Sequence, residues 1–422
     1  MEIREDRTLS EIARVAMVVV HANPLAEPGA GDAGGMGVYV REMAKALARS
    51  GREVDIYTRL DQSGPHIETS PFPGVQVIPV RAGDPCLPKE QLPEHLPEFV
   101  SCVAAAAQER FAYDIVHSHY WLSGKVATAL KNRWGIPFVH TFHTLGLVKN
   151  GALSPGEPAE PPGRLWGEAG VIEQACAIVA SSYQERQSLV DLYAAHPDRI
   201  YMVPPGVDHA MFRPEPGYGA PNRLKAPLLL FVGRLQPLKG ASIAIRAAAI
   251  LARSYPGLRL VIAGGPSGPG GEAELEHLKA LAAQLGLAGS VDFKGPVPQI
   301  QLGALYRQAD VCLVPSQTES FGLVALEAQA CGVPVVASSV GGLKSIVRHG
   351  ETGFLAVPGS PESFAVFSEQ ILSNPETKAR MAAAAARSSL VFSWDRSAET
   401  LLDVYEESTQ NRECSTAITA GT

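Results

Sequence analysis

Two hydrophobic periods alternate along nearly the whole chain. Short runs rich in Val, Ile and Leu read as strands, and the stretches between them carry apolar residues at helical spacing. A first series of strands is predicted at Arg14–Val20, Val54–Tyr57, Val75–Val80, Asp114–His117, Phe138–Thr141, Ile178–Ala180 and Ile200–Val203. A second is predicted at Leu228–Val232, Leu260–Ala263, Val291–Phe293, Val311–Val314, Val335–Ala337 and Gly353–Val357. After the first strand, Val40, Met43, Ala44, Leu47 and Ala48 share one helical face, and Arg41, Glu42, Lys45 and Arg49 share the other. Strands alternating with helices imply parallel sheets covered on both faces.

Two such series imply an α/β chain of two doubly wound, Rossmann-like domains. Pro204–Lys225 is rich in Pro and Gly with little apolar periodicity, which places a hinge there. The expected division is a first domain over 1–207, a second over 208–390, a last helix over 391–407 and a disordered tail over 408–422. In open α/β sheets ligands bind beyond the carboxyl ends of the strands, so facing domains put the site in the cleft between them.

Composition narrows the class. The 422 residues hold 36 Lys plus Arg against 43 Asp plus Glu, a net charge of −7, and 46% are hydrophobic. That is enough apolar material for two cores, without the basic excess of a nucleic-acid binder. The longest apolar runs, such as Val15–Val20, are strand-sized, so no transmembrane segment is expected. A charged start, Met1–Arg7, with no secretory apolar region behind it, points to the cytoplasm. The six cysteines (Cys86, Cys102, Cys176, Cys312, Cys331, Cys414) form no C-x-x-C pair, so free thiols in a reducing compartment are expected.

Gly29-Ala30-Gly31-Asp32-Ala33-Gly34 matches the dinucleotide fingerprint in letters. Its context does not: His21–Pro28 separate it from the strand end, and the next strand runs into Thr58-Arg59 with no terminal acid for a ribose. What remains is Gly34-Gly35 at a helix start, where bare backbone can closely approach an anion. In the second half, Gly233-Arg234-Leu235-Gln236-Pro237-Leu238-Lys239 follows a strand, and the guanidinium and ammonium together suit a diphosphate. Glu319 precedes a helix start at Phe321-Gly322-Leu323-Val324. Glu327 is the sole charge between Phe321 and Cys331. A carboxylate on so apolar a helix needs hydrogen-bond donors, which a ribose diol supplies. No Walker A sequence and no D-x-D occur, so no metal held by the protein is expected. His117, His119, His140 and His143 sit on adjacent strand ends without a Cys or a clear carboxylate, a poor zinc set.

With its G-R-x-x-x-x-K loop (Arg234, Lys239) and E-x7-E pair (Glu319, Glu327), the chain resembles retaining glycosyltransferases of family 4, which have the GT-B fold. The resemblance covers about residues 14–407. Gly34-Gly35, His117-Ser118-His119-Tyr120 and His140-Thr141-Phe142-His143-Thr144 are similar both to family members that glycosylate an inositol phosphate and to those that make a sucrose phosphate. Gly31-Asp32-Ala33-Gly34-Gly35-Met36, Tyr120-Trp121-Leu122-Ser123-Gly124, Val148-Lys149-Asn150 and Gly264-Gly265-Pro266-Ser267-Gly268-Pro269 resemble the inositol-phosphate members more closely. The resemblance implies that the last helix crosses back to the first domain and that the co-substrate is a nucleotide sugar, UDP-linked GlcNAc or glucose, with no tightly bound cofactor. Arg234 and Lys239 would hold the leaving diphosphate, and Glu327 the ribose. Glu319 and the Phe321, Gly322, Leu323 and Val324 backbone would hold sugar and phosphate. His143 would face the reacting carbon, Gly34, Gly35 and Gly265 would border the donor, and the nucleobase would lie near Phe293–Val297.

By the same resemblance Lys89, Tyr120, Thr144 and Arg164 would grip an anionic acceptor. Gly37 stands where these relatives have an acceptor-facing Asn, which departs from the inositol-phosphate pattern. Retention without an evident protein nucleophile implies front-face attack, with catalysis by positioning and by stabilisation of the diphosphate. The expected partners are a nucleotide sugar and a small polar acceptor, and a homodimer is possible. The alternatives are transfer to a sugar phosphate, a secondary-metabolism transferase and, more remotely, a non-catalytic nucleotide-sugar sensor.

Overall fold

A computed structural model describes residues 12–29, 33–62, 67–110, 112–153, 158–215, 226–268 and 270–410. The first sheet holds β1 (Arg14–Val19), β2 (Glu53–Arg59), β3 (Thr69–Phe72), β4 (Val75–Val80), β5 (Ile115–His119), β6 (Phe138–Thr141), β7 (Ala177–Ala180) and β8 (Ile200–Met202). Their spatial order is β3-β4-β2-β1-β5-β6-β7-β8. The second holds β9 (Leu228–Val232), β10 (Arg259–Ala263), β11 (Val291–Gly295), β12 (Val311–Val314), β13 (Val335–Ser338) and β14 (Gly353–Ala356), in the order β11-β10-β9-β12-β13-β14. Helices of the first half are α1 (Gly35–Arg49), α2 (Leu96–Gln108), α3 (Trp121–Trp134), α4 (Gly146–Asn150), α5 (Pro162–Gln174) and α6 (Tyr183–Tyr193). Those of the second are α7 (Ala241–Leu251), α8 (Gly271–Gln284), α9 (Gln299–Gln308), α10 (Leu323–Ala330), α11 (Leu343–Ile346), α12 (Pro361–Leu372) and α13 (Pro375–Ser389). The last, α14, spans Trp394–Gln410.

Each sheet is buried on both faces, and this is why its strands read as continuous apolar runs. β1 shows it: Ala16 and Val18 pack into one core with α2 and α3, and Val15, Met17 and Val19 pack into the other with α1 and α14. Every pairing is parallel except β3 with β4, which is antiparallel. That edge strand was not expected from sequence, because Thr69-Ser70-Pro71-Phe72 has neither alternation nor a donor at Pro71.

The last helix crosses back to the first domain. Trp394, Ala398, Leu401, Leu402, Val404 and Tyr405 are buried against α1 and the first sheet. Where the chain passes between the halves, its two crossings touch: Ser397 Oγ donates to the Pro204 carbonyl at 2.6 Å and Val207 N to the Phe392 carbonyl at 3.3 Å. A Cβ on Gly206 would stand 2.2 Å from Trp394 N, so only glycine lets the strands of this joint meet. α14 runs three residues past the predicted end at Glu407. The rest of the expected tail (411–422), part of the expected hinge (216–225), Ala30-Gly31-Asp32 and Cys414 lie outside the described residues. Cys86, Cys102, Cys312 and Cys331 are free thiols. Cys176 is disulfide-bonded, which departs from the expectation of free thiols throughout. Among the described residues no helix is long and apolar enough to cross a membrane.

Candidate functional site

The carboxyl ends of both sheets open on one cavity of about 730 Å³ lying between the domains. On the second-domain side, β9 ends at Val232 and the chain turns through a short 3-10 helix at Pro237–Lys239. Gly240 closes this turn at φ +73°, and a Cβ there would lie 2.2 Å from the Pro315 carbonyl oxygen. The loop after β9 is thereby pressed against the loop after β12, which carries Glu319. Lys239 Nζ donates to Glu319 Oε2 at 2.7 Å. Arg234 Nη1 donates to Ser267 Oγ at 3.2 Å, and Gln236 donates to the same hydroxyl. From the first domain, Gly34 reaches in at the start of α1, where a Cβ would stand 3.1 Å from Arg234 Nε. Gly322 caps α10 at φ +109°, and the first amides of that helix have no partner within it. Two cations and a helix N-terminus thus converge on one wall, an arrangement suited to a phosphorylated ligand.

Glu327 lies one helical turn deeper. It is 7% exposed and accepts from Tyr306 Oη at 2.9 Å. Burial pushes its pKa up to about 7, against the lowering effect of its hydrogen bonds from Tyr306 and Gln299 and of nearby Arg41. Arg41, on α1, also donates to Gln299 across the cleft. Glu327 is therefore a buried carboxylate on the cavity lining whose ionised form burial disfavours.

The first-domain wall is made of histidines and a locked ion-pair cluster. His143, at φ +60°, meets His119 with its Nε2 3.1 Å from His119 Nδ1. Its carbonyl accepts from Ser320 Oγ at 2.5 Å, a bond between the two domains. Burial holds the His143 pKa down to about 3, and neighbouring His21 adds to the shift, so the ring is neutral near pH 7. His117 is bonded to Tyr405 of α14 and to Thr141. Ser118 bonds His140. Among the described residues no group of three or more His, Cys, Asp or Glu is arranged to hold a metal ion.

Beyond the histidines, Arg164 is 3% exposed on α5. Its Nε donates to Glu168 at 2.8 Å, its Nη2 to the carbonyl and hydroxyl of Thr144 at 3.0 Å, and its Nη1 pairs with Glu160 at 2.9 Å. The guanidinium lies 5.0 Å from the centre of the Tyr120 ring. Lys89, on a short 3-10 helix, and Lys149, at the end of α4, line the same region.

The family description "Glycosyl transferases group 1" matches residues 220–388 and "Glycosyl transferase 4-like domain" matches residues 34–206. The chain belongs to the group 1 glycosyltransferases. It is 48% identical over 411 residues to a D-inositol 3-phosphate glycosyltransferase of Acidothermus cellulolyticus, covering 94% of this chain and 91% of the relative. It is 46% identical to the protein of the same name from Thermomonospora curvata, covering 93% and 95%. Among solved structures it is similar to a sucrose-phosphate synthase from Thermosynechococcus elongatus, with a TM-score of 0.85 at 32% identity over 94% of this chain and 98% of that one. It shares its fold with an Anabaena HepE structure in complex with UDP and glucose, at a TM-score of 0.73 and 20% identity, covering 93% and 98%. The fold is thus GT-B and the protein is an enzyme.

In this glycosyltransferase the cavity gathers nearly all of the residues singled out from sequence. Gly34, Gly35, Lys89, Tyr120, His143, Thr144, Arg164, Arg234, Lys239, Val297, Glu319, Phe321, Gly322, Leu323, Val324 and Glu327 line it. Two do not. Gly37 is buried within α1, its Cα facing the Ala22–Pro24 backbone, and Gly265 donates from its amide to the Gly29 carbonyl at 2.8 Å, with Gly264 facing the cavity in its place. Sequence reasoning named Lys149 and Arg41 without giving either a role at the site, and passed over Glu160, Glu168 and Gln299. Arg164-x3-Glu168 was a readable signal, since i,i+4 spacing puts the carboxylate beside the arginine on one face of α5, whereas Glu160 lies before the helix start and has no helical spacing to announce it.

Proposed function

We propose that this glycosyltransferase moves a hexosyl group, with retention, from UDP-GlcNAc or UDP-glucose to a hydroxyl of an inositol phosphate. The observation that carries the reading is the division of one cavity into two anion-binding walls. Arg234, Lys239 and the start of α10 form one, and Lys89, Tyr120, Thr144 and Arg164 the other. The first suits the donor diphosphate and stabilises it on departure. Glu327, a buried carboxylate that lines the cavity, takes the ribose hydroxyls. The second wall takes the acceptor's phosphate. The name shared by the relatives supports that choice of acceptor.

The resemblance to retaining glycosyltransferases supports retention, and the engagement of the cavity's carboxylates bears on how it is achieved. Glu319 is bonded to Lys239, Glu185 to Ser181 and Glu327 to Tyr306. None is left as a nucleophile, so the acceptor hydroxyl attacks on the leaving-group face and passes its proton to the departing diphosphate. His143 is neutral there, and it positions the sugar rather than carrying its charge. We assign no resident cofactor or metal to the site, because Arg234 and Lys239 supply the positive charge at the diphosphate. Added EDTA is expected to leave the initial rate unchanged, and loss of activity that Mg²⁺ restores would refute that part. A cytoplasmic enzyme drawing on cytoplasmic nucleotide sugars follows from the same reading. The expectation of a homodimer is checked by light scattering.

The similarity to sucrose-phosphate synthase favours a second reading, transfer to a sugar phosphate through the same anion site. The test of both is a matrix of UDP-, GDP- and ADP-sugars against inositol 3-phosphate and fructose 6-phosphate, with the product's anomeric configuration read by NMR. An α-linked product from an α-linked donor and inositol 3-phosphate is expected. Inversion, or a product only with fructose 6-phosphate, would overturn the first reading.

A further inference from the structure

The acceptor wall holds one carboxylate more than its architecture needs. Arg164 is fixed three ways without Glu160: by Glu168 at Nε, by both oxygens of Thr144 at Nη2, and by the face of Tyr120. Glu168 in turn is fully buried and held by the Gly146 amide and the Tyr193 hydroxyl. Glu160 is different. It is 18% exposed, and it spans from Arg164 Nη1 to the Lys149 ammonium, two cations that line the cavity, while it stands at the margin outside them. Its backbone is tethered too, since its amide donates to Asn150 Oδ1 at 2.7 Å. The neighbouring cations favour its ionised form over the ordinary carboxyl range, against the cost of burial.

We infer that Glu160 sets acceptor selectivity by competing with the acceptor's anionic group for Lys149 and Arg164. The inference rests on the acceptor reading above and deepens it. Lys89, Lys149 and Arg164 set against Glu160 and Glu168 leave this wall one net positive charge. A phosphate monoester carries about two negative charges near pH 7. It can draw the flexible Lys149 ammonium away from Glu160 and take the remaining Nη1 proton of Arg164. A neutral polyol cannot, and meets cations already satisfied. Glu160 thereby lowers affinity for anionic acceptors, which must compete with it, and leaves neutral ones, which do not, largely unaffected, so it sets how strongly the wall prefers charge. Neutralising it leaves two positive charges, matched to the dianion.

The test uses the full-length enzyme, UDP-GlcNAc or whichever donor the wild type turns over, inositol 3-phosphate and sulfate. Glu160→Gln is expected to lower the KM for inositol 3-phosphate by about three- to tenfold and leave the donor KM in place, as removal of a partly buried competing charge should. Sulfate is expected to inhibit the variant at lower concentration than it inhibits the wild type. Asn150→Ala frees the Glu160 backbone without changing any charge, and should shift the acceptor KM the same way by a smaller factor. Lys149→Met placed on Glu160→Gln should cancel the gain. An acceptor KM that is unchanged or raised in a Glu160→Gln protein of wild-type melting temperature would overturn the inference, a rise meaning that Glu160 only positions Arg164. Failure of the wild type to use inositol 3-phosphate at all would instead defeat the acceptor reading, and it is seen before any variant is made.

Discussion

The two walls of the cavity hold their cations in opposite ways. On the donor wall Arg234 and Lys239 stand on loops at strand ends and are engaged by small or shared partners, the Ser267 hydroxyl and Glu319. On the acceptor wall Arg164 is enclosed by Glu160, Glu168 and Thr144 and stacked on Tyr120. The difference follows what each must do in the proposed reaction. A diphosphate gains charge as it leaves, so its cations need capacity to spare at that moment. An acceptor's phosphate keeps its charge throughout, so its cation can be locked in advance and used for selection.

The comparison breaks first at Lys239. Lys239→Ala is expected to lower kcat by about 10²- to 10³-fold, the size seen on removing one charge-stabilising group at a reacting centre, with acceptor KM little changed. Full turnover would remove the donor wall from the chemistry. Next is Arg164→Lys, which keeps the charge and loses the planar fork. Acceptor KM should rise by about 10- to 100-fold with donor KM within about twofold. Equal shifts in both would mean that the walls are not separate sites.

Glu327 sharpens the comparison through pH. With its pKa raised to about 7 in the ligand-free protein, the carboxylate proposed to accept ribose hydroxyls forms only as pH passes that value. Nucleotide should therefore bind more tightly as pH rises through 7, releasing a proton below it. Glu327→Gln should abolish the slope and weaken binding at pH 8 by about tenfold, the scale of one or two hydrogen bonds to a charged group. The sign for stability is opposite. A raised carboxyl pKa stabilises the fold below the ordinary carboxyl range, and that contribution is lost as pH climbs through 7. Without nucleotide, the Gln variant should melt above the wild type at pH 8 and lose that advantage at pH 5, in a thermal scan. The smallest effect is at Gly34. Its missing Cβ leaves room for Arg234 Nε, so Gly34→Ala should cost a few-fold in donor KM and nothing in acceptor KM.

Much of the fold was legible because parallel strands buried on both faces must be apolar throughout. Val15–Val19 and Leu228–Phe231 announce themselves for that reason. β2 is longer than its apolar run because Glu53, Thr58 and Arg59 are polar yet paired in register with β1 or β4. The donor wall was readable because its residues come from two compact loops, each with its own motif. The acceptor wall was less so. Its pairs join α4 to the irregular segment before α5, as Lys149 with Glu160, and its link to the donor side joins Arg41 to Gln299, 258 residues apart. No local pattern signals a contact of that separation.

The central claim is that the second wall reads acceptor charge. Initial rates with inositol 3-phosphate and with unphosphorylated inositol, at saturating donor, test it most directly. A site built to pair a substrate anion discriminates against the analogue lacking it, and kcat/KM is expected to favour the phosphorylated acceptor by about 10³-fold or more. Equal kcat/KM for the two acceptors would contradict the account.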